Sequence, residues 1–344
     1  MAKVGIVGAS GYTGAELLRL LAGHPDLEVA VATGDSQAGQ PVAGLYPSLV
    51  GAYGDRTFDT YDPATVDGLD LVFCALPHGA SQAVVPDLRD RVGAVVDLAA
   101  DFRLADAELY PEWYGEAHTV PELLAEAAYG LPELFRPDLV GATLVAGPGC
   151  YPTAAALALA PLLRAGLVAP TGIVVDAVSG VSGAGRPAKP TTTFCAADGD
   201  VTAYGLLRHR HTPEIEQTLT RVAGTAAQVV FTPHLVPMSR GMLATCYSRP
   251  VEGTTAADVA AAVSDAYGGE AFVSVVPGSP STKATQGSNA AHVAAHLDER
   301  TGWVVSLCAL DNLGKGASGA AVQCANLALG LPEGTGLSTI GTYP

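Results

Sequence analysis

The chain has 344 residues, 49% hydrophobic and 15% charged, with 40 Gly and 24 Pro; this supports sizeable packed cores and more than one domain, and excludes a disordered chain. The formal net charge of -16 repels phosphate backbones and anionic lipid, so neither nucleic acid nor membrane is an expected partner. With only 18 Lys and Arg, an anionic ligand must be met by a local basic pocket.

The first residues, Met-Ala-Lys, run into a short strand cut by Gly8 and Gly11 rather than into a long apolar segment of secretory type, so a cytoplasmic protein is expected. Residues 4–7 read as a buried strand, 8–14 as a turn, 15–22 as a helix and 27–33 as a strand, which together make one βαβ unit. The apolar, β-branched runs 69–76, 92–98 and 142–146 suit central strands of a parallel sheet. An apolar helical stretch follows Cys150; Pro161 and Arg164 interrupt residues 153–168, which read as a buried helix pair before a membrane span. Strand-like runs at 172–178, 228–232, 242–248, 271–276 and 303–310 follow, then an apolar helix at 317–329. The predicted architecture is α/β: a Rossmann-type dinucleotide-binding domain, residues 1–147 with 315–344, and an α+β catalytic and oligomerisation domain with an open mixed sheet, residues 148–314.

Cys74, Cys150, Cys195, Cys246, Cys308 and Cys324 are scattered, with no CxxC and no Cys/His spacing of zinc type, so reduced thiols and no metal site are expected. Gly8-Ala9-Ser10-Gly11-Tyr12-Thr13-Gly14 lies between a strand and a helix, where glycines let a pyrophosphate approach backbone N–H groups at the positive end of the helix. Past the second strand, Asp35 favours a free ribose 2′-OH, whereas Ser36 and Gln37 suit a 2′-phosphate; these residues leave NAD and NADP both open. In Gly147-Pro148-Gly149-Cys150-Tyr151-Pro152-Thr153, the cysteine falls at a helix N-terminus, where free N–H groups and the helix dipole stabilise a thiolate and an oxyanion. A thiolate beside a nicotinamide points to acyl transfer onto sulfur followed by hydride reduction to an aldehyde, with a general acid/base moving the proton.

Six motifs carry a family resemblance across essentially the whole chain. They are residues 8–14; Asp97-Leu98-Ala99-Ala100-Asp101-Phe102-Arg103; residues 149–153; Ser179-Gly180-Val181-Ser182-Gly183-Ala184-Gly185-Arg186; His209-Arg210-His211-Thr212-Pro213-Glu214-Ile215; and Asp311-Asn312-Leu313-Gly314-Lys315-Gly316. In this order they resemble the N-acetyl-γ-glutamyl-phosphate reductases of arginine biosynthesis, within the aspartate-semialdehyde dehydrogenase group. Ala99 stands where that family usually has Ser.

The resemblance implies NADP(H) as cofactor and Cys150 as nucleophile. It implies an acid/base from His211 or His209, with His211 favoured and His209 or Arg208 as an anion contact. On an extended backbone the two histidines would share a side and Arg210 would point away; Thr212 and Pro213 read as the N-cap and first residue of a helix. Substrate contacts are expected from Arg103, Arg208, Arg186, Tyr151 and Ser182. Cofactor contacts are expected from Gly8, Ser10, Gly11, Tyr12, Thr13, Gly14, Ser36, Pro77, His78, Gly183, Asn312 and Gly316. Glu214 reads as a helix cap before an orienting group. The expected partners are an acyl-phosphate substrate, inorganic phosphate and a second copy of the chain, as dimer or tetramer. Four other readings compete: a reductase of carrier-protein-linked aminoadipyl phosphate, which a basic rim would favour; aspartate-semialdehyde dehydrogenase itself, whose His motif differs from His209-Arg210-His211; a non-catalytic nicotinamide sensor, which needs no Cys150; and a cysteine hydrolase, which leaves residues 8–14 without a purpose.

Overall fold

The computed structural model describes residues 1–343. The chain divides into two compact units: Met1–Tyr110, Glu116–Pro148 and Ala317–Leu337 in the first, and Pro111–Gly115, Gly149–Gly316 and residues 338–343 in the second.

The first unit opens with β1 (Ala2–Val7), α1 (Tyr12–Leu21), β2 (Leu27–Ala32) and β3 (Leu71–Cys74), followed by α2 (Ser81–Arg89) and β4 (Val95–Asp97). The chain continues through β5 (Ala128–Tyr129), α3 (Pro132–Leu139) and β6 (Leu144–Ala146). Its six strands lie in the order β2-β1-β3-β4-β6-β5 and every pairing is parallel. Every residue of β3, β4 and β6 is buried, which explains why they read as unbroken apolar runs instead of alternating patterns.

The second unit begins with α4 (Cys150–Arg164) and β7 (Ile173–Gly180), then β8 (Thr202–Ala203), α5 (His211–Ala223), β9 (Val229–Val236) and β10 (Met242–Ser248). It closes with α6 (Ala256–Tyr267), β11 (Val273–Val275), β12 (Ala291–Asp298) and β13 (Trp303–Leu310). The chain then returns to the first unit as α7 (Gly319–Ala328). The seven strands form a mixed sheet, β11-β12-β13-β10-β7-β9-β8, parallel at β11/β12 and β7/β9 and antiparallel elsewhere. Here burial alternates along β7 and β10: one face of the sheet packs against helices and the other is only half covered.

Where residues 153–168 suggest two helices, the structure has one. From Tyr151 to Leu163 α4 is buried all round, packed on β10 and β13 and flanked by α5 and α6; such a helix is a core element. Pro161 sits inside it and cannot donate to the carbonyl four residues back. That carbonyl, on Leu157, instead accepts the buried Tyr267 hydroxyl at 2.6 Å. No helix among the described residues is long and apolar enough to cross a membrane.

Two other expectations change. The strand β12 was not anticipated, because the alanines and histidines of Ala291–Asp298 blur its apolar alternation. The helix α5 starts at His211 rather than after Thr212, so Pro213 occupies its first turn and costs no hydrogen bond.

Candidate active site

In the first unit, α1 starts at a Gly11 N-cap in extended conformation, and no side chain caps it. Gly8 has φ +92°, and a Cβ there would collide with the Ala75 carbonyl; a Cβ on Gly14 would lie 2.5 Å from Ala9 Cα. Only glycine allows this path. A Cβ on Gly11 would meet nothing closer than 3.6 Å, so one side of the cradle is left open. A bare turn ahead of uncapped N–H donors fits a dinucleotide pyrophosphate. Ser10 is turned inward: its hydroxyl donates to Gly34 O at 3.0 Å and its carbonyl accepts Tyr46 Oη. Past β2, Asp35 (φ +48°) and Ser36 form an exposed turn.

At the ends of β3 and β4 of this unit, the turn carrying Pro77 and His78 is held by a buried carboxylate. Asp101 accepts Gly79 N at 2.8 Å and Ser81 N at 3.0 Å, and pairs with His78 Nδ1 at 2.6 Å. Burial raises the Asp101 carboxyl, but the His78 and backbone bonds prevail and hold it below its ordinary value. Asp97, wholly buried, accepts the Ser81 hydroxyl at 2.6 Å and is pushed up to about 7, chiefly by desolvation. Arg103 is buried, and its guanidinium donates to Gly147 O at 2.7 Å and Leu98 O at 2.9 Å. It therefore braces the turn that precedes Gly149 in the sequence.

In the second unit, Cys150 is the first residue of α4, behind an extended Gly149 N-cap that no side chain caps. The Gly149 N–H donates to Glu214 Oε1 at 2.8 Å, and Glu214 Oε2 lies 4.0 Å from His211 Nε2. Glu214 thus reaches across to the turn before α4 instead of capping its own helix. The His211 ring lies flat enough on Gly149 that a Cβ there would be 2.7 Å from His211 Cε1 and closer still to Nε2. A Cβ on Gly316 would be 2.8 Å from Cys150 Cβ, so the backbone also closes in on the cysteine from a π-helical turn, Gly314–Ser318.

The histidines meet, though not by strand alternation. The turn 205–208, with Leu207 at φ +61°, leads into His209. His209 Nδ1 accepts the His211 backbone N–H at 3.1 Å, and the two rings are 4.8 Å apart. Burial and the neighbouring Arg210 lower His209 to about 4, so it is neutral at pH 7. Tyr151 and Phe231 pack edge-on against His209, and the Tyr204 hydroxyl donates to Tyr151 Oη at 3.1 Å.

Cys150, Tyr151, His209 and His211 line one cavity of about 530 Å³ with Gly183, Lys189, Tyr204 and Arg210. Arg210, predicted to point away, is one of its cations, because the bend into α5 replaces the extended backbone. Arg208 is exposed and is not part of that lining. Asn312 spends both ends of its amide on the protein: Oδ1 accepts Gly241 N at 2.8 Å and Nδ2 donates to Ser182 Oγ at 2.9 Å. It fixes the glycine-rich turn Val181–Ala184, which leaves Gly183 at the cavity. Arg186 is half-buried beyond that turn. Sequence reading missed Arg210, Tyr204 and the reach of Glu214; only the placing of a cation between two histidines was visible in advance.

Residues 3–142 match the family profile described as semialdehyde dehydrogenase, NAD binding domain, and residues 150–312 match semialdehyde dehydrogenase, dimerisation domain. Over 348 aligned residues the chain is 48% identical to the N-acetyl-gamma-glutamyl-phosphate reductase of Citrifermentans bemidjiense, with 100% of each chain covered. It is 49% identical to the enzyme of that name from Symbiobacterium thermophilum, with 99% of each covered. Among solved structures it resembles aspartate semialdehyde dehydrogenase II of Vibrio cholerae complexed with ASA, with a TM-score of 0.71 at 17% identity over 95% of this chain and 98% of that one. That likeness extends the fold match to a much more distant sequence.

Proposed function

This chain belongs to the semialdehyde dehydrogenase family, and from that premise we propose that it reduces N-acetyl-γ-glutamyl phosphate with NADPH, giving N-acetylglutamate 5-semialdehyde and phosphate, in the cytoplasmic synthesis of arginine. Relatives of that name match it from end to end. The observation that carries the reading is Cys150 at the uncapped start of α4, in one cavity with His211.

The helix N-terminus favours the Cys150 thiolate. The thiolate attacks the acyl carbon; the C–S bond forms, the bond from carbon to the phosphate oxygen breaks, and phosphate leaves with its electron pair. N–H groups at the start of α4 face the negative charge that builds on the carbonyl oxygen. The glycine turn of residues 8–14 would hold NADPH, which would supply the hydride that reduces the thioester. His211 holds a proton against the oxygen as it gains charge, and takes it back as the C–S bond breaks and the aldehyde departs. His209, neutral and bonded to the His211 backbone, anchors that helix start.

Arg210 and Lys189 supply the positive charge that the carboxylate and phosphate of the substrate require in so acidic a chain. Arg103 acts as a brace through its two carbonyl contacts. Ser36, exposed on its turn, is assigned to the cofactor 2′-phosphate. A second copy of the chain pairs over the half-covered sheet face, where Val174, Val178, Leu243, Tyr247 and Val305 lie partly exposed.

The test is phosphate-dependent reduction of NADP⁺ by the purified protein with N-acetylglutamate semialdehyde, beside NAD⁺ and aspartate semialdehyde. A rate that requires phosphate, the acetylated substrate and NADP⁺ is expected. Turnover of aspartate semialdehyde or an aminoadipate analogue instead would keep the chemistry and overturn the substrate.

A further inference from the structure

The loop after β3 forms the second wall of the crevice that begins at the glycine turn. In the order β2-β1-β3 the chain leaves β1 to one side and returns on the other. The carboxyl ends of β1 and β3 therefore flank the place where sheets of this kind take a ligand. The two ends meet: Ala75 N donates to Val7 O at 2.7 Å, and a Cβ on Gly8 would collide with Ala75 O. Pro77 and His78 stand on this loop, and α2 starts just beyond it at Ser81.

Two carboxylates, one at the end of β4 and one in the turn after it, hold that helix start. Asp101 takes the Gly79 and Ser81 N–H groups on its two oxygens and pairs with His78 Nδ1. Asp97 takes the Ser81 hydroxyl at 2.6 Å and the Ala99 N–H at 3.2 Å, both on Oδ1. Both acids are fully buried, and Asp97 Oδ2 is buried without a hydrogen-bond donor. An ionised Asp97 would carry charge on an unsolvated oxygen and set it near Asp101. A neutral carboxyl avoids both costs. Burial, with Asp101 adding to it and the Ser81 bond opposing, pushes the group up to about 7.

The other groups around Asp97 give little relief. Arg103 favours its charged form, but that guanidinium is engaged by the Gly147 and Leu98 carbonyls. Of the elements packed on β4, β3 brings the Cys74 thiol, raised by burial and further by Asp97. The strand β6 brings no ionisable group, α7 only the Cys324 thiol, and α2 only Asp87 and Arg89 near its far end. The strands β3 and β4 are wholly buried, whereas residues 75–80 are partly or fully exposed, so the loop is the part free to give way.

We propose that Asp97 is a positioning residue for the cofactor crevice: as a neutral acid it lets the start of α2 close on the ends of β3 and β4, and its ionisation loosens the loop that carries Pro77 and His78. The proposal rests on the reading above that NADPH lies at the glycine turn. Once the loop opens, water reaches Asp97 and the acid ionises near its ordinary 3.8 rather than about 7. Opening therefore releases a proton between those values, and closure weakens as pH rises through them.

Hydrogen exchange of the full-length protein, read by mass spectrometry on the peptide spanning residues 77–83, tests this without substrate. After correction for the chemical pH dependence of exchange, its rate is expected to rise by up to about tenfold per pH unit between pH 5 and pH 7 and to level off above. Asp97→Asn cannot ionise and should flatten the rise. Ser81→Ala keeps the acid and removes a bond that favours its charged form, so the rise moves to higher pH; it also serves if the asparagine variant fails to fold. An unchanged rise in folded Asp97→Asn, or a Ser81→Ala profile that stays in place, overturns the proposal. Saturating NADPH is expected to slow the exchange of this peptide. A rise that depends on Asp97 but ignores NADPH would leave the coupling standing and refute the placing of the cofactor alone.

Discussion

Two helices in this chain start in the same way and serve opposite ends. Both α1 and α4 follow a strand of the first sheet, both have an extended glycine as N-cap, and both lack a side-chain cap and an acidic residue in the first turn. At α1 no side chain caps the helix start: Gly8 and Gly14 carry none, and the cradle stays open on one side at Gly11. At α4 the protein fills the equivalent place itself, with Glu214 on the Gly149 N–H and the His211 ring on its Cα. A helix N-terminus attracts negative charge in either setting. Whether that charge arrives with a ligand or belongs to a residue of the chain is decided by what the neighbouring glycines admit.

Substitutions separate the two starts. The largest effect is expected from Cys150→Ala, which should lower turnover by roughly 10⁴-fold or more and leave NADPH binding, followed by nicotinamide fluorescence, close to normal. Retained turnover would show that the start of α4 is not the reacting centre. Next come matched glycine replacements. Gly149→Ala forces the His211 ring aside, and a displaced ring of this kind is expected to cost about 10²-fold in kcat, with little change in KM for NADPH. Gly8→Ala should do the reverse: it strains a positive-φ position by about 1–3 kcal/mol and raises KM for NADPH about tenfold, the equivalent of one charge-assisted hydrogen bond. If both variants moved kcat and the NADPH KM together, the two helix starts would not be functionally distinct.

The smallest effect is one of pH on stability. His209 is depressed to about 4 from an ordinary 6.5, so between those values the unfolded chain binds its proton more readily than the native one. The stability it confers is present above pH 6.5 and is lost as pH falls toward 4. His209→Asn should therefore flatten the fall of Tm between pH 7 and pH 4.5, read by differential scanning calorimetry. An unchanged slope would place the acid sensitivity elsewhere.

Much of this was legible in the sequence because it is local. The strands of the first unit are short apolar runs, and the glycine turn and Cys150 sit where strand-to-helix junctions must fall. What could not be read depended on contacts made across the chain. The histidines looked like partners on an extended strand; they meet because His211 begins a helix and its N–H bonds back to His209. Glu214 looked like a cap because nothing local shows that α5 packs on α4 and delivers its carboxylate to Gly149. That Arg103 also braces the turn before Gly149 could not be read, because the two carbonyls it meets lie on separate strand ends. The strand β12 escaped because alanine and histidine carry little pattern of their own, and its place between β11 and β13 supplies what its sequence lacks.

One feature of the core binds two distant positions to a common fate. Pro161 removes an amide from the middle of α4, and the hydroxyl of Tyr267 takes over the abandoned Leu157 carbonyl. Replacing the tyrosine by phenylalanine strands a buried acceptor, whereas an amide restored at 161 could share it, because a carbonyl oxygen accepts two donors. The tyrosine is therefore hard to change while the proline stands, and the order in which the two sites can change is fixed. The helix that begins at Cys150 thereby depends on a tyrosine from a different element of the same unit.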